Sequence, residues 1–263
     1  MAELQDRVAV VTGAGRGIGR TIAQALAKEG MKVGLNDIDP KNLESAVAEL
    51  RSEGLKVFPL PGDVSRKGDV STMIAMAEAE LGPIWLLVNN AGVLSAAPTA
   101  NLSEESWDRV FAVDVKGVFL CSQEVIKRMM PRKKGRIINM SSIAGFMARS
   151  EQIAYCSAKA AVIHFTRCLA VEMAPHGITV NCLCPGGTRT KMLVDSVRER
   201  GFNFDDMVQL IPAGRMAEEI DHANLIVFLA SDKSAHLTGQ IISVDGAQGL
   251  YSPFMPKIVF RDK

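Results

Sequence analysis

The sequence carries almost no net charge. Thirty Lys and Arg against 29 Asp and Glu leave +1, a balance that excludes a global field drawing the chain to nucleic acid or to an anionic membrane surface. Long apolar runs are missing too. Although 48% of the residues are hydrophobic, no uninterrupted stretch approaches the roughly 18 residues needed to span a bilayer. Residues 1–10 carry Glu3, Asp6 and Arg7 before any apolar run, which is not the form of a secretory signal. The five cysteines (Cys121, Cys156, Cys168, Cys182 and Cys184) are odd in number and include no Cys-x-x-Cys pair. Reduced thiols in a cytoplasmic protein are therefore expected rather than a disulfide framework. Cys182 and Cys184 alternate within an apolar run and are expected on one face of a strand, as small buried residues. The histidines at 164, 176, 222 and 236 show no metal-ligand spacing, so no metal is expected. There is no internal repeat, no low-complexity tract and no linker rich in Pro, Gly or Ser, and one domain over 1–263 follows.

What is present is an alternation. Short apolar runs at 8–11, 31–35, 56–60, 84–88, 136–140, 178–184 and 240–244 are separated by helical stretches at 18–30, 40–54, 65–82, 103–130, 151–174 and 218–230. Strand and helix alternating throughout imply a parallel sheet with helices on both faces, and right-handed crossovers make it doubly wound. The expected fold is α/β, a single-domain Rossmann arrangement of seven parallel strands. Two segments break the rhythm: residues 188–216, read as a substrate-binding lid, and the apolar tail at 247–263, read as packing on the body or on a neighbouring subunit. The basic run at 132–136 reads as a solvated turn.

Thr12-Gly13-Ala14-Gly15-Arg16-Gly17-Ile18-Gly19 follows the first strand and opens the first helix. Free N–H groups and the positive dipole end of a helix suit a pyrophosphate, and glycines let backbone approach it. In a strand–turn–helix context this pattern points to a dinucleotide. Asp37 ends the second strand, 18 residues after Gly19. A carboxylate there accepts hydrogen bonds from the adenosine ribose and repels a 2′-phosphate. The residues after it are Ile38, Asp39 and Pro40, with no arginine. NAD(H) is thus favoured over NADP(H); Arg16, a basic residue able to serve a 2′-phosphate, is the discordant note.

Tyr155 and Lys159 stand at i and i+4 on a helix and share one face. A free tyrosine is a poor base at neutral pH, but a neighbouring ammonium and an oxidised nicotinamide both favour the phenolate. Ser142 is expected to close the fifth strand, at the carboxyl edge where such sheets bind ligands.

These motifs carry a resemblance. Thr12 to Gly19, Asp63 after the third strand, Asn89-Asn90-Ala91-Gly92 after the fourth, Ser142 thirteen residues before Tyr155, Lys159, and Pro185-Gly186 with Thr190 after the sixth occur in the order found in the short-chain dehydrogenases/reductases. Residues 5–250 resemble that family. The resemblance implies that Tyr155 is the general acid/base, that Lys159 holds the nicotinamide ribose and assists the phenolate, and that Ser142 orients the substrate oxygen. It implies that Asp63 and Val64 bracket the adenine, that Asn90, Ala91 and Gly92 line the cofactor pocket, and that Pro185, Gly186, Thr188 and Thr190 border the nicotinamide. Arg149, Arg189 and Lys191 lie where the family builds its substrate pocket, and Met192 and Met207 are candidates to line it. Family members usually form tetramers, so a homotetramer is expected, with an isologous interface through the helix faces at 103–130 and 151–174. One departure stands out: the family has asparagine at the place of Asp114 and uses its main chain to anchor a water in a relay to the lysine. An aspartate keeps that main chain, adds a carboxylate beside Lys159 and is expected to retain activity.

The expected activity is NAD(H)-dependent transfer of hydride between a secondary alcohol (polyol, sugar, hydroxy acid or cyclic alcohol) and its ketone. One alternative is a 3-oxoacyl-acyl-carrier-protein reductase, against which Asp37 stands because such enzymes usually prefer NADPH. The other is a nucleotide-sensing protein without catalysis, against which Ser142, Tyr155 and Lys159 stand.

Overall fold

The computed structural model describes residues 3–190, 193 and 204–250. Its strands are β1 (Val8–Val11), β2 (Lys32–Asp37), β3 (Val57–Pro61), β4 (Ile84–Asn89), β5 (Gly135–Met140), β6 (Ile178–Pro185) and β7 (Ile241–Val244). They form one seven-stranded sheet in the order β3-β2-β1-β4-β5-β6-β7, with every pairing parallel. The helices are α1 (Gly17–Lys28), α2 (Pro40–Ser52), α3 (Lys67–Leu81), α4 (Glu104–Phe111), α5 (Gly117–Met129), α6 (Ile153–Met173), α7 (Phe204–Gln209) and α8 (Glu219–Ala230).

The strands read as continuous apolar runs because both faces are covered. Along β1, Ala9 and Val11 enter one core with Ile22 and Leu26 of α1, Leu43 and Leu50 of α2, and Ile226 and Leu229 of α8. Val8 and Val10 enter the other with Met73 and Ile74 of α3, Val125 and Met129 of α5, and Leu169 and Met173 of α6. The period of two along one strand thus feeds two helical layers. The strand order reverses direction between β1 and β4, and the crevice at the carboxyl ends there is where such sheets bind ligands.

Local chemistry sets the helix starts. Asp39 caps α2 by accepting from the N–H groups of Lys41 and Asn42, with Pro40 in the first turn. Ser103 caps α4 through the N–H of Ser106. α1 differs: its cap residue, Arg16, makes no side-chain capping bond, so the first-turn N–H groups stay open toward the carboxyl edge.

Three expectations are corrected. Ser142 does not close a strand; β5 stops at Met140, and Ser142 caps a 3₁₀ turn over Ile143–Gly145. The helical stretch at 103–130 is interrupted by a π-turn over Ala112–Lys116, a widening frequent at functional sites. The basic run is not simply solvated. Arg136 is 5% exposed; its guanidinium lies 4.7 Å from the Trp85 ring centre, with Nη2 3.4 Å from Asp232. Pairing along β5 draws its stem into the sheet, and indole and carboxylate receive the charge.

Cys182 and Cys184 do share a face, their sulfurs 4.0 Å apart, and all five cysteines are free thiols. Among the described residues no helix is long and apolar enough to cross a membrane, and no cluster of metal-binding side chains occurs. Of the segment expected to form a lid, Thr188 pairs with Ala217; Lys191, Met192 and the tail from 251 on lie outside the described residues.

Candidate active site

One cavity of about 930 Å³ runs along the carboxyl edge of the sheet. At one end are Gly13, Arg16, Gly17, Ile18 and Gly19, then Asp37, Asp63 and Val64; Asn90, Ala91 and Gly92 form the middle, and Ser142, Tyr155 and Lys159 with Pro185, Gly186, Thr188 and Thr190 the far end. Every residue expected to hold the cofactor or take part in the chemistry lines it except Gly15 and Asp114. Gly15 lies just beneath, donating its N–H to Asp37 Oδ2 at 2.9 Å. Asp114 lies behind the cavity wall, fully buried.

The glycine turn is built to be thin. Gly13 has φ +62, and a Cβ on it would stand 2.8 Å from the Ala91 backbone. A Cβ on Gly19 would overlap the Gly13 carbonyl. Asn90 ties this turn to the end of β4: its Nδ2 donates to the carbonyls of Thr12 at 2.9 Å and Gly13 at 3.1 Å. Thr12 Oγ1 accepts from the N–H groups of Asn90 and Ala91. Asn90 is therefore a clamp as well as a wall. Asp37 is fixed on both oxygens by backbone, Oδ2 by Gly15 N–H and Oδ1 by Asp39 N–H at 2.9 Å. Asp63 is likewise turned in, accepting from the N–H and the hydroxyl of Ser65. A cleft at the switch point, a helix start with open N–H groups and a fixed carboxylate fit a dinucleotide.

At the far end, Ser142 Oγ accepts from Ala144 N–H at 3.1 Å, so its own hydrogen is left for another partner. Lys159 is 4% exposed. Its Nζ donates to Met140 O at 3.2 Å and lies 2.9 Å from Asp114 Oδ2. Asp114 Oδ1 accepts from Val93 N–H at 2.8 Å. With one hydrogen on Met140 and one facing Asp114, the third hydrogen of the ammonium is free for the cavity. Burial disfavours the charged lysine. The Asp114 carboxylate, Tyr155 and the hydrogen bond to Asp114 outweigh it, and the Lys159 pKa stands above the ordinary lysine value. The carboxylate expected beside Lys159 is thus in direct contact with it. The Lys159 ammonium lies 5.5 Å from the centre of the Tyr155 ring.

Some residues near the site had no signal in the sequence. His222 is fully buried, and its Nε2 lies 2.8 Å from Thr188 Oγ1. Thr188 already donates to Gly186 O at 3.0 Å, so His222 carries its proton on Nε2 and donates. Burial pushes its pKa down to about 4. Asn89, Asn139, Ser122 and Thr166 form a buried polar chain joining β4 and β5 to α5 and α6. Arg149, Met207 and Gln152 line the cavity. Arg189 is exposed and does not line it.

The profile of the short chain dehydrogenase family matches residues 7–201. The chain belongs to the short-chain dehydrogenase/reductase family. A 3-oxoacyl-acyl-carrier-protein reductase of Staphylococcus epidermidis is 39% identical over 250 residues, covering 94% of this chain and 99% of its own. The (2S)-[(R)-hydroxy(phenyl)methyl]succinyl-CoA dehydrogenase subunit of Thauera aromatica is 39% identical over 249 residues, covering 95% and 99%. Among solved structures, levodione reductase matches with a TM-score of 0.90 at 30% identity, over 94% of this chain and 99% of that one. An actinorhodin polyketide ketoreductase variant with NADPH matches with a TM-score of 0.90 at 34% identity, over 93% and 98%. The chain is an oxidoreductase of this family, whose members bind a nicotinamide cofactor.

Proposed function

We propose that this short-chain dehydrogenase uses NAD(H) to interconvert 3-hydroxyacyl and 3-oxoacyl thioesters. The cofactor half of the reading is carried by Asp37, a carboxylate held on both oxygens by backbone N–H groups at the end of β2. So fixed, it is placed to accept from ribose hydroxyls and cannot swing aside for a 2′-phosphate. The substrate half is supported by two relatives whose names specify acyl thioesters. The alternative of a 3-oxoacyl reductase therefore displaces the broader polyol, sugar or cyclic alcohol. Asp37 bears on the cofactor and does not argue against that substrate.

In the reductive direction the nicotinamide, when bound, supplies hydride to the carbonyl carbon. The chain supplies position and a proton. Ser142 donates the hydroxyl hydrogen left free by its bond from Ala144 to the substrate oxygen, polarising the carbonyl. Tyr155 delivers its phenolic proton to that oxygen as the new C–H bond forms, leaving a phenolate beside the Lys159 ammonium. Oxidation reverses each transfer.

Initial rates with acetoacetyl-CoA and either NADH or NADPH test the reading. The expected result is a kcat/KM for NADH at least about 10-fold above that for NADPH, with Asp37→Ala erasing most of the difference. A preference for NADPH in the wild-type chain would refute the cofactor assignment, and no turnover of the thioester the substrate assignment.

A further inference from the structure

Glu219 lines the cavity at its glycine-turn end, beside Gly17 and Ile18, and no step of the proton transfer uses it. It belongs to the first turn of α8. The packing of α8 on α1 brings it to Thr21, whose hydroxyl donates to Glu219 Oε2 at 2.6 Å across 198 positions of chain. The other oxygen lies at the start of α1: a Cβ on Gly17, the first residue of that helix, would stand 3.7 Å from Glu219 Oε1.

The ordinary uses of a carboxylate at this place are already filled. The start of α8 is served by a capping box, in which Glu218 and Asp221 exchange side-chain and backbone bonds. Among the described residues no lysine or arginine pairs with Glu219; Arg20 binds Glu49 at 2.6 Å and Arg215 binds Asp221 at 2.7 Å. α1 opens with no acidic residue in its first turn and no side-chain cap, so its N–H groups and dipole end favour an anion. A bound dinucleotide places its diphosphate there, and Glu219 brings a further negative charge to the same place. Arg16, exposed at the same turn, supplies an opposing charge that Glu219 offsets. Like charges about 4 Å apart repel even in bulk water, and more strongly where a cavity wall excludes it. We infer that Glu219 limits cofactor affinity: its carboxylate shares the start of α1 with the cofactor diphosphate and repels it, so that NAD(H) is held weakly enough to leave between turnovers. Product release is the slow step in many enzymes, and a carboxylate set against the diphosphate speeds it. This rests on the reading of the cavity as a dinucleotide site.

The test is the affinity of the whole enzyme for NADH, ADP-ribose and adenosine, the first followed by its fluorescence and the others by displacing it. Glu219→Gln removes the charge and keeps an oxygen for the Thr21 hydroxyl; Glu219→Ala removes both. Each variant is expected to bind NADH and ADP-ribose about 5- to 10-fold more tightly than the wild type, the factor for removing one unit charge about 4 Å from another in water. Adenosine, which has no diphosphate, should change less than about 2-fold. Unchanged or weakened NADH binding by Glu219→Gln overturns the inference. Tightening confined to Glu219→Ala also overturns it, because the effect would then belong to the Thr21 bond, and so does an equal tightening of adenosine. A loss of affinity in Glu219→Gln that appears only with magnesium present would make the carboxylate a ligand for a bridging cation, and repulsion would fall. No binding of NADH or NADPH by the wild type overturns the dinucleotide reading and the inference with it.

Discussion

Replacing Asp114 by asparagine keeps the shape of a buried pair and removes its charge. Asp114 Oδ2 and Lys159 Nζ are 2.9 Å apart, with side chains 0% and 5% exposed. Deleting one member of a buried ion pair costs about 3–5 kcal/mol, because the other charge is left uncompensated. Lys159 keeps the Met140 carbonyl as a partner in the variant, which sets the loss near the lower end, about 3 kcal/mol. In a chain of this size each kcal/mol moves Tm by about 2–4 °C, so Asp114→Asn should melt about 6–12 °C below the wild type at neutral pH. The loss should depend on pH in one direction. The folded pKa of Lys159 is raised above 10.5, so the pair contributes fully below 10.5 and fades as pH rises through the folded value. Calorimetry of both proteins from neutral pH to about pH 11 should show the gap narrowing at the alkaline end. A variant that melts with or above the wild type at neutral pH, or a gap that stays constant, would refute the reasoning. The wild-type enzyme is expected to be active with its aspartate. A much faster Asp114→Asn enzyme with a displaced pH–rate profile would mark the carboxylate as a handicap.

Other outcomes follow from the same geometry. Tyr155→Phe should lower kcat by about 100- to 10,000-fold, the range of general acid–base catalysis, while NADH still binds in a fluorescence titration; near-normal turnover would remove Tyr155 from the proton path. Gly19→Ala places a methyl against the Gly13 carbonyl and should abolish NADH binding, with unaltered affinity counting against a cofactor site at this turn. His222 is held neutral, its pKa lowered to about 4 from 6.5. Its contribution is complete above pH 6.5 and is lost as pH falls toward 4, on the order of 3 kcal/mol across that window. His222→Gln should flatten the acid limb of a Tm-against-pH curve, and parallel limbs would show that another group titrates there.

The order of strands and helices was legible because covering a parallel sheet on both faces leaves continuous apolar runs, in all but the edge strands β3 and β7. The site was legible where its residues stand together in sequence, as at Gly13–Gly19 and at Tyr155 with Lys159, since turn and helix geometry then fix their relative placement. What escaped depends on contacts between distant segments. Nothing near His222 in the sequence announces Thr188, 34 positions away. The proximity of Asp114 to Lys159 was expected from family resemblance, but their direct contact needs the π-turn at Ala112–Lys116, which no periodicity signals. Arg136 read as solvated because its indole and carboxylate partners come from β4 and from the end of α8.

That last cluster bears on how the molecule is made. Arg7, at the mouth of strand β1, stacks 3.9 Å from the Trp85 ring centre and binds Asp232 at 2.6 Å across 225 positions of chain. Asp232 in turn holds Arg136. The amino-terminal edge of the sheet is therefore fastened by a segment 225 positions further along the chain. Contacts of such sequence separation carry the largest loop-closure cost and slow folding. The growing chain will hold the entrance to β1 unfastened until Asp232 has left the ribosome, and this end of the sheet should be the last to gain protection against hydrogen exchange.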